Sequence, residues 1–137
     1  MSIRVFVYGT LKPGEVNYQR YCEGKVIAAQ PAIALGQLFD LPLGYPAMIP
    51  GDNQVRGFLL TFTEPTLLTV LDELEDYNPQ RIPEDNEYYR QQVTIYDLAN
   101  QSLGQAWIYL MPPERVQRLG GTLISSGWWS PMKSEYE

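Results

Sequence analysis

The stretch Arg4-Val5-Phe6-Val7-Tyr8-Gly9-Thr10-Leu11-Lys12-Pro13-Gly14 constrains the fold of this chain more than any other. Ile3, Val5, Phe6 and Val7 are β-branched or aromatic and begin almost at the first residue, which predicts a buried strand. Gly9 and then Pro13-Gly14 are turn formers that end it abruptly. A strand that stops at Gly9-Thr10-Leu11 leaves backbone N–H groups in a loop without ladder partners. Because Gly9 has no side chain, an anionic or carbonyl oxygen can approach those groups closely. An ordinary strand followed by an ordinary turn has the same sequence signature. Walker spacing is absent and Glu15 follows Gly14, so a phosphate loop is the weaker reading.

The most restrictive count is zero histidines in 137 residues. It excludes a Ser-His or Cys-His nucleophile pair and a His-based zinc site. The one cysteine, Cys22, excludes an internal disulfide and a cysteine-cluster metal site, and reads as a small buried hydrophobe. Any proton transfer would therefore run through a carboxylate, a tyrosine or a lysine. A net charge of −6 gives neither nucleic acid nor an anionic membrane surface electrostatic support as a partner. No apolar run approaches a bilayer-spanning length and the N-terminus lacks a signal pattern, so the expected compartment is the cytoplasm. The length suits one domain, 1–137, with a loose polar tail from about 130.

Taken in order, Val16 to Glu23 reads as a short helix with Val16, Tyr18 and Tyr21 inward. Lys25 to Asp40 holds two strand-like runs, Val26–Ala29 and Ala32–Phe39, separated at Pro31. Leu41 to Gly51 is dense in Pro and Gly and reads as an irregular but apolar segment, a cover over the core or a pocket wall. Gln54 to Phe62 is a strand. A helix with Thr63 as N-cap then runs to about Tyr77, where Asn78-Pro79 stops it. Gln80 to Glu87 reads as a solvated connection. Tyr88–Tyr96 and Gly104–Leu110 pair as strands around Ala99–Ser102, and Glu114–Leu119 forms a short helix. Sequential, short-linked strands with few helices predict an α+β fold, a small and mostly antiparallel sheet closing toward a β-barrel with helices outside.

One residue stands out on the Glu64–Tyr77 segment. At ~100° per residue, Leu67, Leu68, Leu71 and Leu74 occupy an arc from ~340° to ~100°, and Glu75 falls at ~80°, inside it. Asp76 and Glu73 fall outside. A carboxyl directed into apolar surroundings has a raised pKa unless a cation compensates, and that suits acid–base work near neutral pH. The structural alternative is that Glu75, at the last turn, bends out to water or pairs with Arg90 or Arg56. Tyr8, Tyr45, Tyr89, Tyr109 and Trp128-Trp129 are candidates for the wall of a small-molecule site, or for core and rim.

Assembled, these segments resemble the gamma-glutamylcyclotransferase-like, or AIG2-like, family. The resemblance rests on Val7-Tyr8-Gly9-Thr10-Leu11, Lys12-Pro13-Gly14, Asn17, Gly44-Tyr45-Pro46-Ala47, Val55-Arg56-Gly57 and Leu71-Asp72-Glu73-Leu74-Glu75. It continues through Tyr88-Tyr89-Arg90-Gln91-Gln92-Val93, Ala106-Trp107-Ile108-Tyr109 and Gly127-Trp128, in the family's order. It implies a compact barrel with flanking helices and cyclisation of a γ-glutamyl amide to 5-oxoproline, with Glu75 as general acid and base. It implies substrate contacts from Tyr8, Gly9, Thr10, Leu11, Tyr45, Tyr89 and Tyr109, with the glutamyl group held by backbone donors. No metal or cofactor is required, because the substrate's own α-amine is the nucleophile. A binding module of the same fold without the reaction is the alternative. The chain departs from the family in one place: Asp76 stands where members often have Gly. The leaving amine, whether an amino acid, a dipeptide, a polyamine or a lysine side chain, is not specified by the resemblance.

Overall fold

The computed structural model describes residues 2–130. The expected loose tail therefore lies, beyond Ser130, outside the described residues. Six strands, β1 (Ile3–Val7), β2 (Val26–Asp40), β3 (Pro46–Phe62), β4 (Tyr89–Tyr96), β5 (Ser102–Leu110) and β6 (Thr122–Leu123), accompany three α-helices. These are α1 (Val16–Tyr21), α2 (Pro65–Leu74) and α3 (Pro113–Leu119), and a short 3-10 turn covers Pro83–Asp85. The strands bond in the order β3-β1-β5-β4-β2-β6, and β2 also pairs with β3, so five of them form a ring with β6 on its edge. Among the described residues only β1 and β5 run parallel. The α+β, mostly antiparallel expectation matches this arrangement. The ring is closed thinly between β2 and β4, where Ile33 opposite Tyr96 is the paired position.

Period-two alternation between two buried faces explains why Val5–Val7 of β1 reads as a continuous apolar run. Phe6 and Tyr8 face a core inside the ring with Ala34, Val55, Leu59, Ile95, Ile108 and Trp129. Val5 and Val7 face the opposite side and pack with Leu60, Phe62, Leu67, Leu71 and Val116 beneath the helices. From Val5 to Val7 both faces of the strand are buried, and the polar residue of β1, Arg4, sits at its less buried start.

Two local expectations yield to long-range pairing. Pro31 does not divide β2; it sits opposite Phe58 in the β2–β3 ladder, where a missing N–H removes only a single donor. Pro46 to Gly51 belongs to β3 and not to an irregular cover, because Asp40, Phe39, Leu38 and Gln37 pair with Pro46, Ala47, Met48 and Ile49. The irregular part shrinks to a turn closed by Leu41 N–H to Tyr45 O at 3.1 Å and Gly44 N–H to Leu41 O at 3.1 Å. In α1, Tyr18 and Tyr21 pack against the core as expected, but Val16 is exposed and the helix ends at Tyr21, short of Glu23. Among the described residues no helix is long and apolar enough to cross a membrane.

Candidate active site

The position of Glu75 follows from how α2 stops. The helix ends at Leu74, three residues before the expected Tyr77, and starts with Glu64 rather than Thr63 as N-cap and Pro65 in the first turn. Tyr77 N–H donates to Asp72 O at 2.8 Å and Asp76 N–H to Glu73 O at 3.2 Å, the paired bonds of a Schellman turn. Such a turn needs a left-handed residue just past the cap, and Asp76 supplies it with φ 56°. The family's glycine at this place thus has a backbone reason, and aspartate is one of the few residues that tolerates the same geometry. The Asp76 side chain is exposed and bonds Arg81 at 3.1 Å. Glu75 is the cap residue itself, and its side chain lines a cavity of about 220 Å³.

That cavity collects residues from both cores: Tyr8, Gly9, Thr10, Leu11, Asn17, Tyr45, Pro46, Glu75, Glu87, Tyr88 and Tyr109 are on its wall. Gly9 and Leu11 are buried, yet among the described residues the N–H groups of Gly9, Thr10 and Leu11 donate to no protein acceptor. Buried donors without partners are rare, and these three residues lie on the cavity wall. The loop is held from its own carbonyls: Lys12 N–H donates to Gly9 O at 3.0 Å and Asn17 N–H to Thr10 O at 3.1 Å. Asn17 Nδ2 also donates to Thr10 Oγ1 at 2.8 Å. A Cβ on Gly9 would lie 2.7 Å from Pro46 Cγ, so the close approach of β1's exit to the start of β3 requires glycine. Lys12 is almost fully buried; its ammonium donates to Trp129 O and sits 3.5 Å from the Trp128 ring centroid, tying the loop to the chain's last described segment.

The phenols on the wall present acceptors. Tyr8 Oη donates to Tyr109 O at 2.6 Å, Tyr88 Oη to Pro46 O at 2.8 Å, Tyr109 Oη to Asp72 Oδ1 at 2.6 Å and Tyr45 Oη to Glu87 Oε2 at 2.5 Å. A phenol whose proton is committed offers a ligand only oxygen lone pairs. All four phenols are held above the usual tyrosine range, in each case chiefly by burial and further by neighbouring negative charge. Glu75 has no side-chain hydrogen bond or ion pair among the described residues; Arg90 is instead engaged by Asp72, through Nε to Oδ1 at 2.8 Å and Nη2 to Oδ2 at 3.1 Å. Arg90 also lies over Trp107 at 4.3 Å. Arg56 is exposed. Burial, then the negative charges of Glu87 and of Asp72, push the Glu75 carboxyl up to about 8.

The cavity brings together Tyr8, Gly9, Thr10, Leu11, Tyr45, Glu75 and Tyr109. Tyr89 is not on its wall. It packs against the core inside the ring, and Tyr88, one residue earlier, lines the cavity instead. Successive strand residues face opposite ways, so a shift of one exchanges the faces. Trp128 and Trp129 are also away from the wall. Sequence reasoning missed Glu87, grouped with solvated charges: its carboxyl is half-buried and bonded to Tyr45, and its N–H donates to Asp76 O at 3.1 Å. Nothing in local periodicity marks it.

Known proteins are similar to this chain in sequence or in fold. A Vibrio cholerae protein provisionally named a gamma-glutamylcyclotransferase is 34% identical over 129 residues, covering 94% of this chain and 96% of that one. The Niallia circulans gamma-L-glutamyl-butirosin B gamma-glutamyl cyclotransferase is 38% identical over 73 residues, 53% of this chain, and the match spans only 46% of that protein. An AIG2-like protein of Mus musculus has the same fold, with a TM-score of 0.68 at 21% identity over 94% of this chain and 88% of that one. YkqA of Bacillus subtilis has it too, with a TM-score of 0.65 at 24% identity, over 94% of this chain but 40% of that one. The family model for gamma-glutamyl cyclotransferase, AIG2-like proteins matches residues 5–131, a range that contains the donor loop, Glu75 and the phenol wall alike. On the sequence match and the site it encloses, this chain belongs to the gamma-glutamyl cyclotransferase, AIG2-like family.

Proposed function

We propose that this chain cyclises γ-glutamyl amides to 5-oxoproline with release of an amine, and that Glu75 is the acid and base. The observation that carries the reading is an unpaired carboxyl, pushed up to about 8, on the cavity wall that also holds the unpartnered N–H groups of Gly9–Leu11. The substrate's α-carboxylate or developing oxyanion suits the N–H side. Its α-ammonium suits Glu75 and the phenol oxygens of Tyr8, Tyr45, Tyr88 and Tyr109. An ammonium beside Glu75 favours the ionised carboxylate, which reverses part of the upward shift and creates the base.

Glu75 then takes a proton from the α-ammonium, and the freed amine attacks the γ-amide carbonyl carbon. The tetrahedral intermediate collapses as the amide C–N bond breaks, and Glu75 delivers to the leaving nitrogen first that proton and then a second one taken from the ring nitrogen. Of the three ammonium protons one stays on the ring nitrogen and two end on the departing amine, so the step is proton-neutral. Asp72 orients Tyr109 through its hydrogen bond, and Arg90 holds Asp72 in turn.

The test is 5-oxoproline release from a panel of γ-glutamyl amines and peptides, with Glu75→Gln as the paired control. Turnover that falls on the order of a thousandfold in a folded Glu75→Gln supports the assignment. Retained turnover in the variant refutes the acid–base role. No turnover across a broad panel by the native protein moves the reading to a γ-glutamyl binding module of the same fold.

A further inference from the structure

We propose that Glu87 selects the departing amine, and that the favoured substrates are γ-glutamyl amides whose amine carries a second, positively charged group. The proposal rests on the cyclotransferase reading above. At about 220 Å³ the cavity lies below the ~300 Å³ at which pockets begin to enclose drug-sized ligands. A glutamyl head placed between the Gly9–Leu11 amides and Glu75 fills it, and the amine portion must leave through the mouth. Glu87 is on the wall with Glu75 and Tyr88, all three supplied by the connection between α2 and β4.

Its carboxyl is fixed. Oε2 accepts the Tyr45 phenol, the Glu87 N–H donates to Asp76 O, and Tyr88 beside it is tied to Pro46 O. Oε1 is left for a ligand. The neighbouring cations are already committed: Arg81 to Asp76, Arg90 to Asp72, Arg115 to the carbonyl of Glu84 and Lys12 to the carbonyl of Trp129. Among the described residues Glu87 has no ion pair. A half-buried carboxylate held in place without a counter-ion attracts an ammonium and repels a carboxylate, and its field is screened less than at an open surface. Glu75 meets the α-ammonium of the glutamyl head, whereas Glu87 remains for a charge on the amine side.

Three amides of equal reach isolate this effect: the γ-glutamyl amides of putrescine, pentylamine and δ-aminovalerate, whose amines end in a cation, a methyl group and an anion. Each is measured for kcat/KM by 5-oxoproline release, and for Kd by calorimetry on Glu75→Gln, which reads binding whether or not turnover occurs. The expected preference is roughly tenfold for the putrescine amide over the pentylamine amide, and larger over the aminovalerate amide. Glu87→Gln, which keeps an acceptor for Tyr45, brings the first ratio near one. Comparing ratios within each variant cancels any change that Glu87 exerts on Glu75. A native ratio within twofold, a ratio that survives Glu87→Gln, or a native preference insensitive to added salt overturns the proposal. Should none of the amides be turned over, the cyclisation reading fails while the calorimetric ratio still decides the role of Glu87; no binding of any of them overturns both.

Discussion

The Gly9–Leu11 side of the cavity and the Glu75–Glu87 side offer a ligand different materials. The loop side uses backbone N–H groups from three consecutive residues, placed by the end of β1 and a glycine with no room for a side chain. The carboxyl side uses side chains from the end of α2, the connection after it, the start of β3 and β5. Backbone donors keep their charge at every pH, so the loop side is fixed electrostatically. The carboxyl side is tunable, because Glu75 responds to burial and to the charges of Glu87 and Asp72. Under the proposed function, binding falls to the loop side and proton transfer to the carboxyl side.

Breaking each wall should therefore leave a different signature. Glu75→Gln carries the largest expected loss, on the order of a thousandfold in kcat, with the fold retained. The same variant reads the charge side through stability. Glu75 is raised from the ordinary 4.5 to about 8, so between those values the folded state holds a proton that the unfolded chain has lost. Native stability is then lost as pH rises from 4.5 to 8, on the order of 1–3 kcal/mol after allowing for partial exposure. Glu75→Gln removes that dependence, which urea titrations at the two ends of the window would show as a widening gap between variant and native protein. A constant gap would mean that the carboxyl is not buried enough to matter.

Gly9→Ala comes next. Its new Cβ meets Pro46, and displacing the loop by a fraction of an ångström should cost about a hundredfold in kcat/KM. Its pH profile should keep the native shape, since no titrating group changes. Glu87→Gln should do the reverse, moving the acidic limb of kcat/KM to lower pH, because one of the charges raising Glu75 is gone while burial remains. A limb that stays in place would separate Glu87 from the proton step.

Asp76→Gly is the smallest change. The ends of α2 and α3 are built alike: Gly121 N–H donates to Val116 O at 3.0 Å just as Tyr77 N–H donates to Asp72 O, and Gly120 has φ 77° where Asp76 has 56°. Glycine should relieve the left-handed strain at 76 and lose only an exposed contact with Arg81. Thermal melts should show a stability change under ~1 kcal/mol. The kcat/KM should stay within about twofold, since the charges that raise Glu75 are those of Glu87 and Asp72. A large loss of activity would show that the aspartate does more than fill a turn.

These contrasts also account for what the linear chain discloses. The donor loop is local: one strand ending, one glycine and the turn formers after it are contiguous, so Gly9–Leu11 could be read directly. Glu75 was legible because α2 is regular up to Leu74 and helical phase carries one residue further, even though the helix stops before Tyr77. Tyr89 was misplaced by a single position, because strand phase at the entry to β4 depends on pairing with β5 and not on composition. Pro46 to Gly51 looked irregular for a similar reason: its strand conformation comes from a ladder with β2.

By itself the sequence determined the kind of chemistry open to this protein. Without histidine and with one cysteine, any proton transfer falls to a carboxylate, a tyrosine or a lysine, and the strand–glycine junction marks candidate donors. Tertiary structure decided which carboxylates and phenols. Closing the ring of strands beneath α2 set Glu75, Glu87 and four tyrosines around one small cavity and sent Tyr89, Arg90 and Asp76 elsewhere. The physical reason is range: turn and helix signals act over a few neighbouring residues, whereas burial and charge coupling at Glu75 depend on residues brought close only by the fold.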